Sequence, residues 1–229
     1  MQPAASQQSL SEQTIARARV TILAVAPLVL LASFVYHPHI VLLPDAEAVA
    51  HAVQMDHQRW AIAHFGVGLG AALMALAYIA LRAFLRDAGE NRWSAIALPF
   101  LVFGSGLYVF LPGMEFTVLA ASATGGDIVA SQHAIDVWFV PIMMSSALMN
   151  AVGLAFLMRG IGRVLDARVK PIVLTALLLM AISRFVPIGP VHFYVQGLAG
   201  LAALWPVAWE ISRRTMAQTV AHSRPMPAS

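Results

Sequence analysis

The 229-residue chain contains no cysteine. That excludes disulfides, thiolate metal sites, iron–sulfur clusters and covalently attached c-type haem, and leaves histidine, carboxylate and thioether chemistry open. Charge is scarce too. Only 11% of residues are Asp, Glu, Lys or Arg, against roughly a quarter in a soluble domain. The deficit runs along the whole chain, as expected where most of the surface meets lipid. The formal net charge is +3, and the excess sits in short loops between apolar runs. It therefore reports threading rather than nucleic-acid binding, and no nucleic-acid partner is expected. There is no HExxH motif, and no two histidines stand at i, i+4.

What the chain has is apolar length. Six runs follow one another, at 20–36, 60–81, 95–111, 134–158, 172–187 and 191–209. Each is near the ~20 residues that cross ~30 Å of hydrocarbon, the first and fifth being short. Backbone polar groups in lipid must satisfy one another, so runs rich in Ala, Leu and Gly are read as helices. Residues 1–19 are polar, and SFVYHPHI after the first run offers no convincing cleavage site, so that run reads as a retained span. The expected organisation is a polar N-terminal tail (1–19), a six-helix transmembrane domain (20–211) and a C-terminal tail (212–229).

Arginine sets the orientation. Twelve of the 14 basic residues precede span one, join spans two and three or four and five, or follow span six; Arg59 and Arg184 are the two exceptions. The positive-inside rule makes that side cytoplasmic, with both termini on it, in a plasma membrane or bacterial inner membrane. Two outward connections are long enough to hold short surface helices. In residues 37–59, Pro44-Asp45 is a helix-start signal running into span two. In residues 112–133, Pro112-Gly113 should break span three, and Gly125-Gly126-Asp127 marks a turn.

Seven of the eight histidines fall on the outward half, together with six acids, Arg59 and Arg184. Depletion of Lys and Arg from that side does not itself bring histidine there, whereas a functional site would. His64 lies one turn into span two. His133 and Asp136, three apart on span four, are expected to share a face that Met143 and Asn150 continue toward the bundle interior. His192 opens span six one turn from Gln196, and Arg184 lies near the outer end of span five. With Glu115 these form the candidate ligand-binding set: His64, Glu115, His133, Asp136, Asn150, Arg184, His192 and Gln196. His64, His133, Asp136 and His192 are the candidate metal ligands, since two histidines and an acid are a common minimum. His37-Pro-His39 is a short pair whose proline keeps the two rings off one helical face.

Gly66-Val-Gly-Leu-Gly70 resembles a phosphate loop only by letter count, because it follows no strand. As Gly66-xxx-Gly70 it is a small-residue face for close helix approach within the chain, with Gly104, Gly106, Gly197 and Gly200 as partner surfaces. Met143, Met144 and Met149 read as core filling, and the five tryptophans as interface anchors. Three functions follow from different classes. The leading expectation is a non-enzymatic membrane protein that binds a small or lipid-like ligand, or a membrane-protein partner or second copy, in an outward-facing cavity. The second is a redox protein holding b-type haem or a divalent metal on outward histidines. The third is a small-solute transporter or channel along the Asp136–Asn150 stripe.

Overall fold

The computed structural model describes residues 3–42 and 45–222, with side chains placed for 13–42 and 45–216. The helices are α1 (Pro3–Tyr36), α2 (Ala46–Met55), α3 (His57–Asp87), α4 (Arg92–Met114), α5 (Phe116–Thr124), α6 (Ile128–Val164), α7 (Lys170–Ser183) and α8 (Gln196–His222). A π-helical turn, Val191–Val195, leads into α8.

Acidic side chains start several of them. Asp45 accepts the Ala48 N–H at 3.0 Å, Asp56 the Arg59 N–H at 2.8 Å, and Asp127 the Ala130 N–H at 2.9 Å. Each satisfies one of the orphan donors of a first helical turn. Three of the six acids expected on the outward side are thus helix caps. At the other end of the bundle Glu90 accepts the Trp93 and Ser94 N–H groups at 2.7 and 3.0 Å and so opens α4. Gly89 (φ 89°) and Gly125 (φ 74°) end α3 and α5 in the left-handed region, which glycine enters without a Cβ penalty.

Five helical stretches are long and apolar enough to cross a membrane: Gln13–Tyr36, His57–Asp87, Arg92–Thr124, Ile128–Val164 and Val191–Met216. The expected span at 172–187 is shorter than its apolar run. α7 has 14 residues, about 21 Å at 1.5 Å per residue. Pro187, Gly189 and Pro190 crowd the sequence just beyond it, so the helix stops at Ser183 and the chain turns through 184–190. Span three differs in the opposite sense. Pro112 does not break it; α4 runs through to Met114 and α5 resumes at Phe116. Proline inside an apolar helix costs one backbone bond and a local adjustment that neighbouring helices absorb, and Pro27, Pro99, Pro141 and Pro206 also lie within helices.

The long helices close a ring. α1 packs on α3, α3 on α4, α4 on α6, α6 on α7, α7 on α8, and α8 returns to α1. The glycine face of α3 has α1 as its partner: a Cβ at Gly70 would stand 2.9 Å from the Leu30 Cα, and Gly66 abuts Ser33. Gly104 of α4 instead admits Asn150 of α6, and Gly197 of α8 admits Leu31 of α1. Outside the ring, large apolar side chains such as Phe65, Phe103, Phe110 and Trp209 are exposed, as a lipid-facing surface requires. Trp60 departs from the interfacial expectation. It is 1% exposed, and its indole N–H donates to the Glu115 carbonyl at 3.3 Å.

Arginines gather at one end. Arg19 pairs with Asp87 at 2.7 Å, Arg159 and Arg163 lie over the Trp93 ring, and Arg214 reaches Glu210 at 2.7 Å and the Val164 carbonyl. At the opposite end, Gly189 N–H donates to the Val41 carbonyl at 2.9 Å beside a Leu42–Ile188 bridge, tying 37–42 to 184–190 across the ring.

Candidate functional site

Inside the ring, toward the end opposite the arginines, two polar clusters lie one layer apart. The first begins where α1 stops. Arg59 holds the last carbonyls of α1, donating to Tyr36 O at 2.8 Å and His37 O at 3.4 Å. This turns the His37 ring inward, where it is 7% exposed. Its Nδ1–H donates to the Pro38 carbonyl at 2.8 Å, and its Nε2 faces the Nε2 of His64 at 3.3 Å. His64 is held in the same way, its Nδ1–H donating to the Trp60 carbonyl at 2.8 Å, one turn earlier on α3. The Trp60 ring stacks on His64 at 4.1 Å between centroids, and Phe193 packs on His37 at 4.9 Å. Burial, seconded by the nearby Arg59 charge and opposed by the Pro38 bond, lowers the His37 pKa to about 4, so the ring is neutral at neutral pH. The pair opens on a cavity of about 70 Å³ lined also by Tyr108, Glu115 and Met143. That is room for a few waters or a small ion.

The second cluster centres on Arg184, at the C-terminus of α7. Its guanidinium is buried over the face of Tyr108, 4.5 Å from the ring centroid, and donates to Ser146 Oγ at 3.3 Å. Ser146 in turn donates to the Gly104 carbonyl at 2.7 Å. Among the described residues no carboxylate lies within 4.0 Å of this guanidinium. Among the described residues its Nε has no hydrogen-bond partner, and neither do the buried Tyr78 Oη, Asn150 Oδ1 and both amide atoms of Gln196. The Tyr78 phenol and His192 are within electrostatic reach of Arg184.

The expected site residues divide accordingly. His64 and Glu115 line the cavity; Arg184, Asn150, His192 and Gln196 are buried. Asp136 is half-buried and accepts from the Gln132 amide at 2.9 Å. His133 is the correction. Its side chain is 69% exposed, 3.9 Å from the carboxylate of Asp136 but outside the bundle. Residues three apart on a helix are offset by about 60°, and four apart by about 40°, so Gln132 carries the inward face and His133 does not. Among the described residues, no three His or carboxylate side chains converge as His64, His133, Asp136 and His192 were expected to do. Nor do these rings leave space for a haem plane, since the His64 faces are taken by Trp60 and its Nε2 by His37. His37, Tyr108, Ser146 and Tyr78 are the residues missed by sequence reasoning. For His37 the signal was present, a histidine immediately after an apolar run.

No family model, no curated protein and no solved structure matches the chain.

Proposed function

We propose that the chain is an integral membrane protein that binds a small anionic ligand, or the anionic head of a lipid-like one, in the polar interior around Arg184. In this reading it crosses a plasma or bacterial inner membrane six times with both termini cytoplasmic. The sixth crossing is made by α7 together with 184–190. The cavity beside His37 and His64 then lies toward the extracytoplasmic side.

The observation that carries the reading is a buried guanidinium with no carboxylate partner. A charge in a bundle interior costs several kcal/mol, of order 3 or more, unless it is paired. The Tyr108 face and one hydroxyl offset part of that cost. An anion accepting from Nε would offset more, and the Tyr78 phenol, within electrostatic reach of Arg184, supplies a further donor. The close packing of Ser146 and Asn150 on Gly104 favours this reading over a through-path for solutes along the Asp136–Asn150 stripe.

The test is thermal unfolding of the detergent-solubilised protein in titrations of chloride, phosphate and short carboxylates. One of them stabilises the protein saturably, by about 2.7 kcal/mol at a hundredfold excess over its Kd, and Arg184→Met removes the effect while His133→Ala keeps it. Equal responses in wild type and Arg184→Met would overturn the reading.

A further inference from the structure

The His37–His64 contact is chemically incomplete as it stands. Each Nδ1 faces a backbone carbonyl at 2.8 Å, and a carbonyl only accepts, so each Nδ1 carries the ring's hydrogen. A neutral imidazole has one N–H. Both Nε2 atoms therefore present lone pairs, and they do so toward each other at 3.3 Å. Two acceptors at that distance repel unless something positive lies between or beside them.

We propose that His37 Nε2 and His64 Nε2 are two ligands of a first-row transition-metal ion, Zn²⁺ or Cu⁺ in class, whose remaining positions open into the cavity lined by Glu115 and Met143. The proposal goes beyond the anion reading and uses none of the residues bonded to Arg184.

The geometry fits such an ion. Metal–imidazole bonds of about 2.0–2.1 Å to nitrogens 3.3 Å apart enclose an angle of about 104–111°, the tetrahedral value. The outer partners fit as well. Metal-bound histidine ordinarily donates its other N–H to a carbonyl or carboxylate, which fixes tautomer and ring orientation. Both rings already do so, and Trp60 and Phe193 hold their planes. Glu115 is 6% exposed with its Oε2 unpartnered, and it lines the same cavity as the Met143 thioether. Among the described residues no third histidine or carboxylate joins the pair, so water in the cavity would fill the remaining positions, with Glu115 and Met143 on its wall. The cavity of about 70 Å³ holds an ion and its water and excludes larger cofactors.

The experiment uses the full chain in detergent, stripped with chelator and then equilibrated with Zn²⁺, or with Cu⁺ under reductant. After desalting, the metal-to-protein ratio is measured. One of the two ions is retained at one per chain. His37→Gln and His64→Gln each weaken its binding at least tenfold, while His133→Gln and Arg184→Met leave it unchanged. The unchanged Arg184→Met also separates this test from that of the anion reading. Stoichiometric retention by the His37→Gln/His64→Gln double variant, or no retention of either ion by wild type, overturns the proposal. Should the histidine variants fail to fold, X-ray absorption of the metal-loaded wild type decides. Two imidazole scatterers in the first shell support the site, and fewer than two overturn it.

Discussion

The Arg184 guanidinium lies 4.5 Å from the centre of the Tyr108 ring, in the interior of a ring of helices. A desolvated cation over an aromatic face is worth about 2 kcal/mol or more. The contact depends on the ring rather than on the phenol. Tyr108→Phe should leave unfolding stability nearly unchanged, whereas Tyr108→Leu should lower it by about 2 kcal/mol. Denaturant unfolding in mixed micelles separates the two. Equal losses in both variants would mean that the ring face contributes nothing.

The α1–α3 seam depends on the absence of a side chain at Gly70. An added Cβ would meet the Leu30 Cα at 2.9 Å, where backbone and not a flexible tip is in the way. Gly70→Ala should destabilise by about 1–3 kcal/mol, the usual cost of overpacking. Gly106, on α4, has nothing within 4 Å of a built Cβ. Gly106→Ala should be neutral or stabilising by up to about 1 kcal/mol, from helix propensity alone. A Gly70→Ala protein as stable as Gly106→Ala would show that α1 shifts freely.

The helical class and the positions of the long apolar helices were legible from hydropathy, because it acts on whole segments. The seams were not: the Gly66–Gly70 face was expected to meet glycines of spans three and six and instead packs on Leu30 and Ser33 of α1. The outward polar set was less legible, since Asp45, Asp56 and Asp127 are there to cap helices and their number says nothing about a site. His133 and Asp136 do share a face, 3.9 Å apart, but the 60° offset of an i, i+3 pair leaves His133 exposed where it was expected inside the bundle. His37 was passed over because its partner, His64, lies 27 residues away and is set by the end of α1, which local spacing does not show. Arg184 was placed near the outer end of span five, but its burial and its lack of a carboxylate neighbour depend on how α4 and α6 pack, which the sequence does not show.

Glu90 gives a pH dependence whose sign is determined. Burial raises its pKa, but the Trp93 and Ser94 N–H groups outweigh that and hold it below the ordinary value of 4.5. The unfolded chain therefore binds the proton more readily. Ionised Glu90 contributes its full stabilisation above pH 4.5, and loses it as pH falls through the lower folded value. Glu90→Gln should cost about 0.5–2 kcal/mol at pH 7, as loss of a capping carboxylate does. The gap between variant and wild type should close as pH falls from 4.5 through the lower folded value. A gap that is constant with pH, followed by chemical denaturation, would mean that the charge is not what caps α4.

The tie between 37–42 and 184–190 rests on Gly189, which abuts the Ile40 backbone carbonyl closely enough that no side chain fits. The same two segments begin with His37 and Arg184, so the tie joins the chain stretches that carry both interior clusters. Gly189→Ala must push the segments apart, because the obstacle is backbone on both sides. The expected result is a loss of about 1–3 kcal/mol, with faster modification of His37 by diethyl pyrocarbonate, as its 7% exposure rises. His133, already exposed, is the internal reference and should react at an unchanged rate. If His37 stays as slow in Gly189→Ala as in wild type, the two segments do not act as one unit, and His37 is held inward by Arg59 and its ring neighbours alone.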